Sequence, residues 1–490
     1  MILKNPKSLY VGGEWLAASD IEAVLNPANE SVLGEAPVGG SAHIEAALSA
    51  AREAFDNGPW PRMPATARQL KLKEFLDAVD RRAEDIIRLI IAEAGSTARL
   101  ARYLQYGIPM RHARHALDLC TQLGVKTLPV ETVAAADGTV ILGVTAIARH
   151  PVGVVAAITP YNFPFFLNIG KIIPAMAVGC TVILKPSPYT PFEGLILGEI
   201  AQEVELPKGV LNIVTGGVTV GEKLTSDKRV DLISFTGSDV VGARVQAQAA
   251  PTLKRLLLEL GGKSALIVRP DADLAKAAAT GLGGFTVHSG QGCALLTRHL
   301  VHNSVRAQYV QTLKTLADAV KVGDPADTSV GMGPLIREVA RKRTEDYVEI
   351  AKSQGARLVT GGKRPAGLTK GFYFEPTLFD DVDNNSRIAQ EEVFGPIGVV
   401  IGFDSDDEAV ALANQSEFGL SGAIFSSNVG RAYEMALQLR TGGVAINGGS
   451  GTMSSQAPFG GVKRSGFGRE YGIEGLSEFT TLKTISFHGG

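Results

Sequence analysis

Five short strand candidates, the first a continuous apolar run, dominate the middle of this chain. VGVVAAIT (152–159) is followed by runs at 181–184, 210–214, 232–235 and 265–268, separated by segments of helical length. The first run is continuously apolar and has no solvent face, so it reads as a strand buried on both sides. Such strands alternating with helices predict βαβ units and a doubly wound parallel sheet, an α/β fold of Rossmann type. Ligands collect at the carboxyl ends of strands in such a sheet. Function is therefore expected in the segments just after them: PYNFPF, KPSPYTP, TGGVTVG and FTGSDVVG.

The flanking sequence extends this plan. Leu72, Phe75, Leu76 and Val79 repeat at helical spacing, and Ile86, Leu89 and Ile90 lead to Gly95 as a C-cap. Residues 1–60 alternate short β-branched runs with turn signals (Gly12-Gly13, Asn26-Pro27, Gly39-Gly40) and read as small strands and hairpins. After Cys293 a second alternation predicts helices over 305–320 and 340–354 and strands over 399–403, 422–425 and 443–446, a second α/β domain. The β-rich stretches 139–150 and 476–488 fit neither pattern. They read as exposed strands that pair with each other or with another subunit.

Composition removes several classes of function. With 48 Lys+Arg against 50 Asp+Glu, no basic excess exists to neutralise nucleic-acid phosphates. The three cysteines, Cys120, Cys180 and Cys293, form no CxxC, which argues against a zinc ribbon or a disulfide scaffold and for a reducing compartment. The segment MILKNPKSLYVGGEW lacks the apolar core of a signal peptide, and the apolar run 172–184 is too short to span a bilayer. A cytoplasmic multidomain protein without membrane or nucleic-acid partners is the expectation.

Three positions carry chemistry. Cys293 sits in FTVHSGQGCALLTR among small residues that let another molecule reach its sulfur. A lone cysteine is usually a small buried hydrophobe, but glycines on both sides of Gln291 do not suit a core helix. A thiolate nucleophile needs a lowered pKa and an open face; a Gly-rich loop feeding a helix N-terminus can supply both. Glu259, in RLLLELGGKS, ends an apolar run. It is either half of a strand-end ion pair or a desolvated general base with a raised pKa. Asn162, between Pro160 and Pro164, is either a turn asparagine or a rigidly held oxyanion donor. FTGS, with Gly237 and Ser238, ends a strand and opens a helix, as an N-cap or a pyrophosphate cradle does. There is no GxGxxG, no Walker A loop and no clustered His/Cys set, so no metal is expected.

PYNFP, KPS, FTGS, LELGGKS, GQGC with Arg298 five residues on, EEVFGP and PFGGVKRSGFGRE together resemble the NAD(P)-dependent aldehyde dehydrogenase superfamily, in order and spacing, over about 152–470. The resemblance implies a dinucleotide-binding domain (1–128 and 150–261), a catalytic domain (262–470) and an oligomerisation element (129–149 and 471–490), assembled as a homodimer or homotetramer. It implies that Cys293 attacks a small-molecule aldehyde, that Asn162 steadies the oxyanion, and that Glu259 activates water to hydrolyse the thioester. Lys171 and Glu470 match positions proposed to relay protons, or form a structural pair. For NAD+ or NADP+ it implies contacts from Ile158, Thr159, Tyr161, Lys185, Ser187, Pro188, Gly221, Gly237, Ser238, Glu392 and Phe394. Phe163 and Phe459 match walls of the substrate tunnel.

Two departures from the family pattern matter. Pro188 stands where NAD-preferring relatives carry a glutamate, so one barrier to a 2′-phosphate is gone. Gly170 and Met453 stand where bulky aromatics are common in small-aldehyde enzymes, which implies a wider tunnel for a medium-sized or bulky hydrophobic aldehyde. The alternatives are a CoA-acylating relative, which generally lacks the Glu259 carboxylate, and a silent dinucleotide-binding protein, which has no physical reason to keep Cys293, Glu259 and Asn162 together.

Overall fold

The computed structural model describes residues 2–134, 136–451 and 454–488. Its first sheet has eight strands in the order Glu14–Ala17, Ser8–Val11, Leu211–Ile213, Thr181–Lys185, Val154–Ile158, Leu232–Thr236, Arg255–Glu259, Gly466–Phe467. The five central strands are parallel and the flanking ones antiparallel. Val154–Ile158, Thr181–Lys185 and Leu232–Thr236 are buried at every position; the first is apolar throughout, and the other two bury Thr181, Lys185, Ser234 and Thr236 as well.

The chain leaves Val154–Ile158 toward one edge of this sheet and then returns to build the other from Leu232–Thr236. Between those two strands the connections diverge and leave a crevice at their carboxyl ends. The helix Pro164–Val178 starts beside the crevice, with Pro at its first turn and left-handed Gly179 (φ 106°) as its cap. It is apolar nearly all round, with Ile169, Ile172, Ile173 and Met176 fully buried, so it lies inside the core. Each such side chain contributes roughly 1.5–3 kcal/mol of burial free energy.

The second sheet has seven strands in the order Arg357–Thr360, Thr377–Asp380, Ile397–Phe403, Arg298–His302, Ala265–Val268, Ser421–Phe425, Gly443–Ile446. All but the first run parallel. A third sheet pairs Thr480–His488 with Val140–Pro151 in antiparallel register, Thr480 opposite Pro151. The chain thus combines parallel sheets and helices as an α/β protein. Among the described residues no helix is long and apolar enough to cross a membrane.

Two local expectations are corrected. Ser41–Asp56 is a helix, not part of a run of small strands. Its buried stripe, Ile44, Ala47, Leu48 and Ala51, has helical spacing but is half alanine, which weakens the hydrophobic signal. The 476–488 stretch starts in a helix, Gly472–Glu478, and only Thr480–His488 is strand.

Candidate active site

A cavity of about 760 Å³ starts at the crevice and runs between the two larger sheets. Its walls include Tyr161, Asn162, Phe163, Gly237, Ser238, Glu259, Cys293, Glu392, Phe394, Phe459 and Glu470. Residues from six separate motifs therefore converge on one space.

Cys293 lies on a loop whose shape is set by steric exclusion. His288 and Ser289 have positive φ (49° and 56°), followed by Gly290 at 75°. A Cβ at Gly290 would lie 2.0 Å from the Gly395 carbonyl oxygen, and one at Gly262 would lie 2.4 Å from that of Cys293. Only glycine permits these approaches. Arg298, fully buried, donates to the carbonyls of Lys263, Leu412 and Ala413 and to Asn384, and so clamps the loop's exit. The loop leads into the strand Arg298–His302, not into a helix as expected. Without a helix terminus to favour the thiolate, burial pushes the thiol up to about 12, helped by the Glu392 and Glu259 charges. The N–H groups of Cys293 and Ala294 oppose this only in part. The low-pKa nucleophile expected from the sequence is thus a protonated thiol here.

Asn162 is tied to the same loop. Its Nδ2 donates to the Gln291 carbonyl at 2.9 Å, two residues before Cys293. Its own carbonyl accepts from Gln105 Nε2 at 3.2 Å, so more than the flanking prolines holds it. Gln105 lies in a π-helical turn, Ala101–Gly107. Gln291 is fully buried, accepts from the Ile336 N–H and donates to the His288 carbonyl. The sequence showed Gln291 only as the residue between two glycines, and Gln105 carried no signal.

Glu259 ends the strand Arg255–Glu259 with a side chain 2% exposed. Neither carboxyl oxygen has a hydrogen-bond partner, which decides against a strand-end ion pair. Burial raises its pKa well above the usual carboxylate range, and the Glu470 charge adds to the rise, against Lys171 and Arg469. Behind it, Lys171 Nζ lies 2.6 Å from Glu470 Oε1 and 2.9 Å from Ser234 Oγ, both ends of the ion pair buried.

Thr236 Oγ1, also in the cavity wall, is buried without a partner. Beside it Gly237 precedes Ser238, which caps the helix Asp239–Ala249 by accepting from the Val241 N–H. Glu392 Oε1 accepts from the Gly262 N–H at 2.9 Å, and burial raises that carboxyl to about 7. Phe394 meets the Tyr161 ring edge-on at 6.2 Å.

Other sequence candidates lie outside the wall. Ile158 and Thr159 end the central strand; Thr159 Oγ1 donates to Asn168, and its N–H to the Lys185 carbonyl. Lys185 Nζ donates to the Pro186 carbonyl, and burial lowers its pKa to about 8. Gly221 stands against it, a Cβ there lying 3.6 Å from Lys185 Cε. Ser187 is buried and accepts from the Tyr189 N–H, and Pro188 is half-buried. Met453 lies outside the described residues.

Gly170 does not widen the cavity, contrary to expectation. A Cβ there would lie 3.1 Å from Tyr471 Oη, so the tyrosine fills the room the missing side chain leaves. Tyr471 stacks among His112, Phe166 and Phe459 and lines the cavity. It follows Glu470 directly, yet nothing in the sequence pairs it with Gly170.

A model described as the aldehyde dehydrogenase family matches residues 15–485. The 3-succinoylsemialdehyde-pyridine dehydrogenase of a Pseudomonas species is 36% identical, covering 100% of both chains. The geranial dehydrogenase of Castellaniella defragrans is 37% identical, with 98% of each chain covered. Among solved structures, a Mycobacterium tuberculosis aldehyde dehydrogenase complexed with NAD+ matches with a TM-score of 0.92 at 39% identity, covering 98% of this chain and 97% of that one. The betaine aldehyde dehydrogenase of Staphylococcus aureus, in complex with NAD+, matches with a TM-score of 0.94 at 36% identity, covering 99% and 95%.

Proposed function

The chain belongs to the aldehyde dehydrogenase family, and we propose that it oxidises a medium-sized or bulky hydrophobic aldehyde to the carboxylic acid with NAD+ or NADP+. The observation that carries this reading is the unpartnered, buried Glu259 carboxyl sharing one cavity with the Cys293 thiol and Asn162.

The thiol starts protonated, so its proton leaves as the sulfur attacks the aldehyde carbon, and Glu259 is the base in the same wall. The resulting thiohemiacetal oxygen is steadied by the Asn162 amide and the Cys293 N–H, each worth roughly 3–4 kcal/mol in comparable sites. A dinucleotide held by Lys185, Ser238 and Glu392 would supply the hydride acceptor for that carbon. Cys293 then holds a thioester. Glu259 takes a proton from water, the hydroxyl adds to the acyl carbon, the C–S bond breaks and the sulfur is reprotonated. Lys171 and Glu470 set the charge around Glu259 and pass protons away from it.

The cofactor fits the residues beside the crevice. The helix start at Ser238 offers N–H groups to a pyrophosphate, Gly237 giving its own N–H to the Glu259 carbonyl, and Thr236 Oγ1 there lacks a partner. Lys185, with Ser187, Pro188 and Gly221 around it, would hold the adenosine ribose. Glu392 would hold the nicotinamide ribose, and Ile158, Thr159, Tyr161 and Phe394 would pack beside the dinucleotide. Pro188 offers no carboxylate to repel a 2′-phosphate. The substrate arm is apolar, from Leu104, Phe163, Phe166, Phe459 and Tyr471, which favours a hydrophobic aldehyde even though Gly170 adds no width. Three free thiols suit a reducing compartment such as the cytoplasm. The strand Thr480–His488 is a sheet edge with Leu482, Ile485 and Phe487 exposed, which suits pairing with a second copy in a homodimer or homotetramer.

A screen of hydrophobic aldehydes with NAD+ or NADP+, read by reduced-nicotinamide absorbance, tests the reading. Wild type turns over and Cys293→Ala does not. Glu259→Gln gives at most one slow equivalent of reduced cofactor and then stalls. Steady turnover at the wild-type rate in Glu259→Gln removes the base assignment.

A further inference from the structure

The wall of the cavity that holds the Thr236–Ser238 turn also includes residues that follow Cys293 in the chain. Arg337 lies there at the start of the helix Glu338–Ser353, with its guanidinium 3.7 Å above the Tyr189 ring. Tyr189 in turn packs on Tyr161 at 5.8 Å. Arg343, one helical turn and a half further on, also lines the cavity and donates to the Glu392 carbonyl. Neither arginine forms an ion pair with a carboxylate among the described residues, although most arginines in this chain do. A guanidinium stacked face-on against a ring keeps its N–H edge free and fixed in direction. Both line the same cavity as the helix N-terminus at Ser238 and the buried, unpartnered Thr236 hydroxyl.

We propose that Arg337, held flat by Tyr189, binds the pyrophosphate of the dinucleotide together with Ser238, with Arg343 as the second cation. This rests on the cofactor reading above and adds to it a clamp from residues that follow Cys293 in the chain. Lys185 and Pro188, which belong to the adenosine end, are absent from this wall, so the pyrophosphate and not a 2′-phosphate is the assigned partner. A charge-assisted contact of this kind is worth a tenfold to hundredfold change in affinity, to order of magnitude.

The test is calorimetric titration of the full-length protein with NAD+, NADP+ and ADP-ribose, without aldehyde. Arg337→Ala is expected to weaken all three by about tenfold or more, and to flatten the salt dependence of binding. Arg337→Lys should recover part of the loss, since it keeps the charge but not the planar fork. Tyr189→Leu, which removes the stacking surface, should fall between Arg337→Ala and wild type. Affinities in Arg337→Ala within twofold of wild type overturn the proposal. A loss confined to NADP+ also overturns it, because the guanidinium would then serve the 2′-phosphate. Failure of the wild-type protein to bind any of the three brings down the cofactor reading itself, a result separable from the other two.

Discussion

Removing one member of the Lys171–Glu470 pair separates its structural role from its chemical one. The side chains are 0% and 3% exposed and 2.6 Å apart. In Lys171→Met the Glu470 carboxylate stays buried without its cation, a defect that costs about 3–5 kcal/mol. Ser234 also loses its bond to Nζ, worth about 1 kcal/mol. At about 2–4 °C per kcal/mol for domains of this size, this summed loss of about 4–6 kcal/mol should lower melting by roughly 8–24 °C. Glu470→Gln strands the ammonium instead and should fall comparably, while Lys171→Met with Glu470→Gln should recover most of the loss. The pH dependence must split the two single variants. Glu470 raises the Glu259 pKa and Lys171 lowers it. On the proposed mechanism thioester hydrolysis needs ionised Glu259, so its rate should climb as pH rises through that pKa. Glu470→Gln should move this limb to lower pH and Lys171→Met to higher pH, where two buried carboxyls compete for the proton. Rapid-mixing measurement of acyl-enzyme decay across pH reads both. If the two variants shift the limb in the same direction, or leave it in place, the pair is structural only and the electrostatic account of Glu259 is wrong.

Two further outcomes follow from packing and charge. A methyl at Gly262 would meet the Cys293 carbonyl at 2.4 Å. Gly262→Ala should therefore retain the fold yet lose about a hundredfold in kcat, since a displacement near 1 Å at a reacting atom costs that much; wild-type kcat in a folded variant would contradict the loop geometry. The buried carboxyls of Glu93 and Glu193 lie against each other, and burial raises Glu193 to about 7. A folded-state pKa above the unfolded one gives stability that is complete below about pH 4.5 and is lost as pH rises through about 7. Glu193→Gln should reduce that decline, by on the order of 3 kcal/mol between the two limits, in melting curves recorded at successive pH values; parallel curves for variant and wild type would refute it.

Much of the parallel core was legible because strands buried on both faces are dominated by apolar side chains, a pattern that needs no tertiary information. The helix Ser41–Asp56 was missed because alanine packs as core against a strand yet carries little hydrophobic contrast. Motif spacing likewise singled out Cys293, Glu259, Asn162 and Glu392, which line one cavity, while Lys185 and Gly221 meet at another place along the crevice. Gln105, Arg337 and Tyr471 stayed hidden because each acts through a neighbour far away in the chain.

By itself the sequence determined the α/β class and the residue types available for thiol and carboxylate chemistry, because hydrophobic period and side-chain identity are local properties. Only the tertiary structure decided the electrostatic state of those groups and the shape of the space they share. Burial raised the Cys293 thiol where a helix terminus was expected to lower it. Tyr471 closed the room that Gly170 promised, and the unpaired Glu259 carboxyl displaced the ion-pair alternative. Desolvation and steric exclusion depend on every atom within a few ångströms, and most of those atoms come from distant parts of the chain.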